Sequence, residues 1–126
     1  MPAMATLTIN NYAAVAVNYQ VLGIKDGVAS WADTAQGTVG GYRTITEEVR
    51  RPSDPAKQVT RLIFNIARPV VNATTGAVDY IGRVKIECIQ PPGMTLAERQ
   101  EMMAAAKNFT AHTFFSDAVI KQESMY

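Results

Sequence analysis

The stretch MTLAERQEMMAAAKNFTAHTFFSDAVIKQESMY, residues 94–126, decides how the rest of the chain must fold. Thr95-Leu96-Ala97-Glu98 opens it with a capping-box pattern, in which hydroxyl and carboxylate satisfy backbone donors of a first helical turn. Pro91-Pro92-Gly93 ends whatever regular structure precedes. Ala, Met, Gln, Glu and Lys dominate from Leu96 to Lys107, all good helix formers. Leu96, Met103, Ala106 and Phe109 or Thr110 fall on one helical stripe. Phe114-Phe115 interrupts, and Ser116-Asp117 reads as the cap of a second, short helix carrying Ala118, Val119 and Ile120. Neither helix can hide its apolar stripe alone. Something flat and apolar must lie beneath them.

Upstream, the chain alternates with a period of two. Thr6 to Asn10 is a short strand, and Val15, Val17, Tyr19 and Val21 mark a second. Asp26-Gly27 is a strong turn signal, followed by Val28-Ala29-Ser30-Trp31, while Asp33 to Gly41 is small, polar and loop-like. From Tyr42 to Arg51 the face Thr44, Thr46, Glu48, Arg50 alternates with Ile45, Glu47, Val49. Pro52-Ser53-Asp54-Pro55 is turn chemistry. From Gln58 to Arg68 the face Arg61, Ile63, Asn65 alternates with Leu62, Phe64, Ile66, and Pro69 is expected to stop that strand. Asn72 to Gly76 reads as a flexible loop, and Val78 to Gln90 as the last strand, where Arg83, Lys85 and Glu87 alternate with Val84, Ile86 and Cys88. All three long strands have one apolar and one polar face, the pattern of an antiparallel sheet covered on one side. The terminal helices are the natural cover, which makes the fold class α+β.

At 126 residues the chain is one domain, and 48% hydrophobic residues argue against disorder. Net charge is only +1, but residues 42–90 hold eight Lys and Arg against five Asp and Glu, with slightly acidic flanks. That places the basic charge on one surface rather than in a tail. The lone Cys88 excludes an internal disulfide and a thiolate metal cluster. Met1 to Ala5 lacks the features of a signal peptide, and Tyr12 to Leu22 is too short to span a membrane. Synthesis in a cytosol is expected, with no membrane partner.

The catalytic inventory is thin. His112 falls in a helical stretch among Phe109, Phe114 and Phe115 and reads as a packing or surface residue rather than a base. Cys88 lies on the apolar side of its strand, as a buried, inert thiol would. Glu47 and Glu48 point to opposite faces and cannot share a substrate. Gly40-Gly41 has no phosphate-loop pattern around it. No enzyme activity, metal or cofactor is expected. Arg50, Arg61, Asn65, Arg83 and Lys85, with Thr46 nearby, place donors and positive charge on one flat face, where cations bind phosphates and Thr or Asn adds base contacts. The same residues equally suit a solvated surface, and no aromatic platform for stacking bases accompanies them.

The sequence resembles the coat proteins of the small single-stranded RNA bacteriophages, the leviviruses, from Thr6 to Tyr126. The resemblance is carried by Gly27-Val28-Ala29-Ser30-Trp31, Arg51-Pro52-Ser53, Leu96-Ala97-Glu98-Arg99, and the closing Phe115 to Ile120 and Glu123 to Tyr126. It implies an N-terminal β-hairpin, a five-stranded antiparallel sheet with two C-terminal helices on one face, and an interlocked dimer. In such a dimer two sheets join edge to edge and each pair of helices reaches across the partner. The resemblance further implies a single coat-protein domain over residues 1–126. Residues 1–33 would form the hairpin and first sheet strand, 42–90 the main sheet and 94–126 a helical arm.

By the same resemblance, dimers assemble into an icosahedral shell around a single-stranded RNA genome, made in the bacterial host cytoplasm and residing in the virion. The inward face also binds an RNA hairpin as translational repressor. Position by position, the RNA face of the family falls on Thr46, Glu48, Arg50, Arg61, Ile63, Asn65, Arg83 and Lys85, extending toward Glu87, with Val28 near the site of Thr46. Glu48 stands where the family carries a small hydroxyl residue, and Ile63 where a lysine is common. The loop Val70 to Val78 corresponds to the one that meets its copies at the symmetry axes, and it contains no cysteine. A dimeric, sheet-based RNA-binding regulator that never assembles is the alternative. A small α+β enzyme would need a titratable pair in a pocket, which the sequence does not offer.

Overall fold

Six antiparallel strands lie in one sheet in sequence order, followed by two helices, in a computed structural model that describes residues 4–35, 37, 39–51 and 59–123. The strands are β1 (Leu7–Asn10), β2 (Ala16–Lys25), β3 (Val28–Asp33), β4 (Arg43–Arg50), β5 (Thr60–Val71) and β6 (Val78–Gln90). The helices are α1 (Leu96–Thr110) and α2 (Thr113–Lys121). The count differs from the expected hairpin plus five-stranded sheet, because β2 belongs to both parts. Its first half pairs with β1 and its second half with β3. A register shift between Val21 and Gly23 lies within the half paired with β3, with Gly23 at φ 123°, a conformation open to glycine.

Local chemistry explains most boundaries. Asp26 and Gly27 both have positive φ, 53° and 78°, as a two-residue turn between twisted strands requires. The capping box of α1 forms as expected: Glu98 N–H donates to Thr95 Oγ1 at 3.2 Å, and Thr95 N–H to Glu98 Oε2 at 3.0 Å. The second cap differs. His112, not Ser116-Asp117, is the N-cap of α2, its Nδ1 accepting from Phe114 N–H at 3.1 Å. Ser116 lies inside the helix and donates to Thr113 O at 3.0 Å. Pro69 does not stop β5, which runs on to Val71 with Pro69 opposite Ile81. Pairing with β4 reaches only to Ala67, so beyond it β5 has one strand neighbour and tolerates a residue without an N–H. The expected turn Pro52 to Pro55 lies outside the described residues.

Loop 72–76 is closed by its own hydrogen bonds. Asn72 Oδ1 accepts from Thr74 N–H at 2.8 Å and Thr75 N–H at 3.1 Å, and Gly76 N–H donates to Asn72 O at 2.8 Å. The β1–β2 hairpin lies against the apolar face near Ile66 and Arg68. Trp31 Nε1 donates to Ala5 O at 2.9 Å. A cavity of about 410 Å3 remains between Asn11, Tyr12 and Tyr19 on the hairpin and Arg43, Ile66 and Arg68 on the sheet.

The core is small for such a chain. Among the described residues only Ala32, Ile45 and Ile63 are buried hydrophobics. No helical residue is buried, and neither helix packs on the sheet of its own chain, so the expected cover is not made there. The accessible surface is 9686 Å2, whereas a compact monomer of 13.7 kDa exposes about 6,600 Å2. On the apolar face Ile66, Val84 and Ile86 are 37–49% exposed and Phe64 is partly exposed, and β6 is an outer edge.

Candidate nucleic-acid interface

Strand register, which no single segment reveals, brings the expected surface residues together. In antiparallel strands, directly opposed residues share a face. Arg50 lies opposite Arg61, Thr46 opposite Asn65, and Asn65 opposite Lys85. Between these rows Glu48 lies opposite Ile63, and Ile63 opposite Glu87. Arg83 lies opposite Ala67, in the next row of the same face. All eight candidate positions therefore occupy one surface, with Glu87 among them. Strand β3 extends it, with Val28 opposite Glu48 and Ser30 opposite Thr46, and Lys25 at the end of β2 lies opposite Val28. Ser30 and Lys25 escape a reading of the three long strands alone; the Asp26-Gly27 turn, which sets the pairing of Lys25 with Val28, is the signal that finds them.

The members of this surface are unequal. Ile63 is only 6% exposed and forms its floor. Around it the cations are paired with carboxylates. Arg50 Nε donates to Glu48 Oε1 at 2.9 Å, and Arg61 Nη1 to Glu87 Oε1 at 3.0 Å. Lys85 Nζ stands 3.8 Å from Glu87 Oε2. The hydrogen bond that Arg50 donates to Glu48, and then the charge of Glu48, raise the pKa of Arg50 above its ordinary value. Arg83 has no carboxylate within ion-pair distance among the described residues. Exposed pairs of this kind contribute little to stability, so they orient the side chains without holding them fast.

Chemically, such a face supplies guanidinium and ammonium donors, the amide and hydroxyl groups of Asn65, Thr46 and Ser30, and a flat floor. These groups suit phosphates and base edges. The opposite face carries Cys88, half-buried opposite Leu62, and Glu47, opposite Ala29 and Phe64. Glu47 and Glu48 thus do point away from each other. His112 is engaged as a helix cap, with its ring edge-on to Phe114 at 4.6 Å. No helix among the described residues is long and apolar enough to cross a membrane.

A two-faced antiparallel sheet with a terminal helical arm is the architecture of a class of viral shell subunits. The family profile described as Levivirus coat protein matches residues 2–126, and the chain belongs to that family. It is a structural capsid protein of RNA bacteriophage type, not an enzyme, and its place is the virion. Among solved structures, a virus-like particle of Beihai levi-like virus 21 is similar at 20% identity and a TM-score of 0.88, covering 99% of each chain. A virus-like particle of bacteriophage ESE058 is similar at 18% identity and a TM-score of 0.87, covering 99% of this chain and 100% of that one. The bacteriophage GA protein capsid is more distant, at 12% identity and a TM-score of 0.75, with 96% of each chain covered. No curated protein sequence matches the chain.

Proposed function

We propose that the protein works as an interlocked homodimer, the unit of an icosahedral shell around a single-stranded RNA genome. The surface of 9686 Å2 carries this reading, since it exceeds that of a compact monomer by about 3,000 Å2. An excess of that size per subunit is typical of obligate partners. Two such chains can pair along β6, whose outer edge is otherwise an open template for another strand. Each helical arm then lies across the apolar face of the partner, where Leu96, Met103, Phe109, Phe114 and Val119, all more than half exposed in one chain, find cover.

The polar face is then left for RNA. Thr46, Asn65, Arg50, Arg61, Arg83 and Lys85 contact the nucleic acid, Glu48 and Glu87 set the local charge, and Ile63 supports the floor. The same face binds a hairpin of the genome as translational repressor. In this reading residues 1–126 are one coat domain, divided into a hairpin region (1–33), a main sheet (42–90) and a helical arm (94–126), and it is made in the cytoplasm of a bacterial host. Electron microscopy and light scattering of the purified protein test the proposal. Closed shells that dissociate to dimers are the expected result, a soluble dimer that never assembles leaves only an RNA-binding regulator, and a folded monomer overturns the reading.

A further inference from the structure

Glu48 and Glu87 sit on either side of Ile63, two strands apart and thus roughly 10 Å from each other. Between them they engage three of the four basic side chains of the main sheet's polar face. Glu48 holds Arg50 at 2.9 Å, while Glu87 holds Arg61 at 3.0 Å and lies 3.8 Å from Lys85. All three cations keep about half or more of their side chains exposed, while both carboxylates are only about 30% exposed. The acids therefore lie low on the sheet and the cations arch over them, poised to turn outward. Stability does not require this arrangement, because exposed pairs contribute little. Phosphate offers the same cations an equivalent acceptor.

We infer that Glu48 and Glu87 are resident competitors of phosphate, which hold down the affinity of this face for RNA backbone and so leave discrimination to the base-reading groups Thr46, Asn65 and Ser30. The inference rests on the reading of this surface as the RNA side of the shell. Its physical content is an exchange. An incoming strand must displace two carboxylates to reach three cations, and the displaced carboxylates then repel it. Backbone contacts alone are weakened by that exchange, whereas an RNA that adds hydrogen bonds to the polar groups can offset it. Arg83, without such a partner among the described residues, binds phosphate unopposed.

The test is filter binding of a uridine homopolymer to the purified, unassembled protein across a salt series. Glu87→Gln frees two cations and Glu48→Gln frees one. The first variant is expected to bind on the order of 10-fold tighter at low salt, with a slope of log affinity against log salt steeper by about 1.4. The second is expected to steepen the slope by about 0.7. In an Arg61→Gln background the gain from Glu87→Gln should shrink, because one of the masked cations is gone. Each glutamate variant tests the idea independently, should one of them fail to fold. Unchanged or weaker binding by the folded variants, with Arg83→Gln still weakening binding, overturns the inference and leaves the RNA face standing. If Arg61→Gln and Arg83→Gln also leave binding unchanged, the RNA face itself falls, and the inference with it.

Discussion

Ile63 and Ile86 lie on neighbouring strands of one sheet and on opposite faces, and their exposures run against expectation. Ile63, on the polar face, is 6% exposed; Ile86, on the apolar face, is 44% exposed. Long polar side chains from three strands close over the first. Among the described residues no helix closes over the second, because the helices that carry matching apolar stripes stand away from it. One face is thus finished within a single chain, and in the proposed dimer the other is half of an interface. The difference teaches that exposure in the isolated chain does not rank importance here. Residues that look superficial on the helical arm and the apolar face should behave as core.

The largest expected effect breaks that comparison most directly. Phe109 is 59% exposed in the single chain, where truncation should change stability by about 0.5 kcal/mol or less. If the arm is buried against a partner, Phe109→Ala should instead cost about 3–5 kcal/mol, as a core phenylalanine does. Ile86→Asp should abolish the folded dimer outright. Chemical denaturation at several protein concentrations reads both outcomes, since the midpoint of an obligate dimer rises with concentration. A concentration-independent midpoint with a small loss from Phe109→Ala would return the arm to the surface.

Next in size comes the finished face. Neutralising Arg61 and Arg83 together should lower affinity for all RNAs alike and reduce the salt slope by about 0.7, the share of the unopposed Arg83, rising to about 1.4 when Glu87→Gln has first freed Arg61. Dimer stability should hardly move, which is the contrast with Phe109. Absorbance ratios of purified particles and binding across a salt series check this. An unchanged RNA content and slope would make the basic surface a solvated one.

Much of this division is legible in the sequence, and for a physical reason. Alternation in β4, β5 and β6 reports which residues share a face, because successive side chains point to opposite sides whatever the strand packs against. The capping box at Thr95 and Glu98 is equally local. What stayed hidden depends on register or on neighbours. Glu87 and Arg61 are far apart in sequence and meet only through the β5–β6 pairing, so a surface counted as basic turns out to be largely paired. Pro69 is read as a strand stop by its own chemistry, yet β4 ends early enough to let the strand continue. His112 replaces Ser116-Asp117 as the cap because its ring nitrogen reaches Phe114 N–H, a choice between acceptors that residue types alone do not make.

Thr46 and Asn65, directly opposite each other, sharpen the account of the polar face. Both are uncharged, so Thr46→Ala and Asn65→Ala should leave the salt slope alone. If they read bases, each change should lower discrimination between a preferred hairpin and bulk RNA by on the order of 1–3 kcal/mol. Competition binding with both RNAs at one salt concentration measures it. Equal losses on both RNAs would assign these groups to the backbone instead.

A change in the loop between β5 and β6 should also leave the dimer largely intact. Asn72 closes this turn by accepting from two backbone N–H groups and by its own backbone bonds to Gly76 and Ala77. The turn is therefore complete in itself, and its described hydrogen bonds run to neighbours in the same loop. Asn72→Ala removes the side-chain acceptor while leaving the backbone bonds, so the dimer should lose about 1 kcal/mol or less. A loop that meets other dimers needs a defined shape, however, and loosening it acts where closure of the shell is decided. Normal dimers that form misshapen or incomplete particles are the expected outcome, read by thermal denaturation of the dimer beside electron microscopy of the particles. A large drop in dimer melting temperature would place the loop with the apolar face, as part of the interface within a dimer. Normal particles with a normal dimer would remove it from either interface.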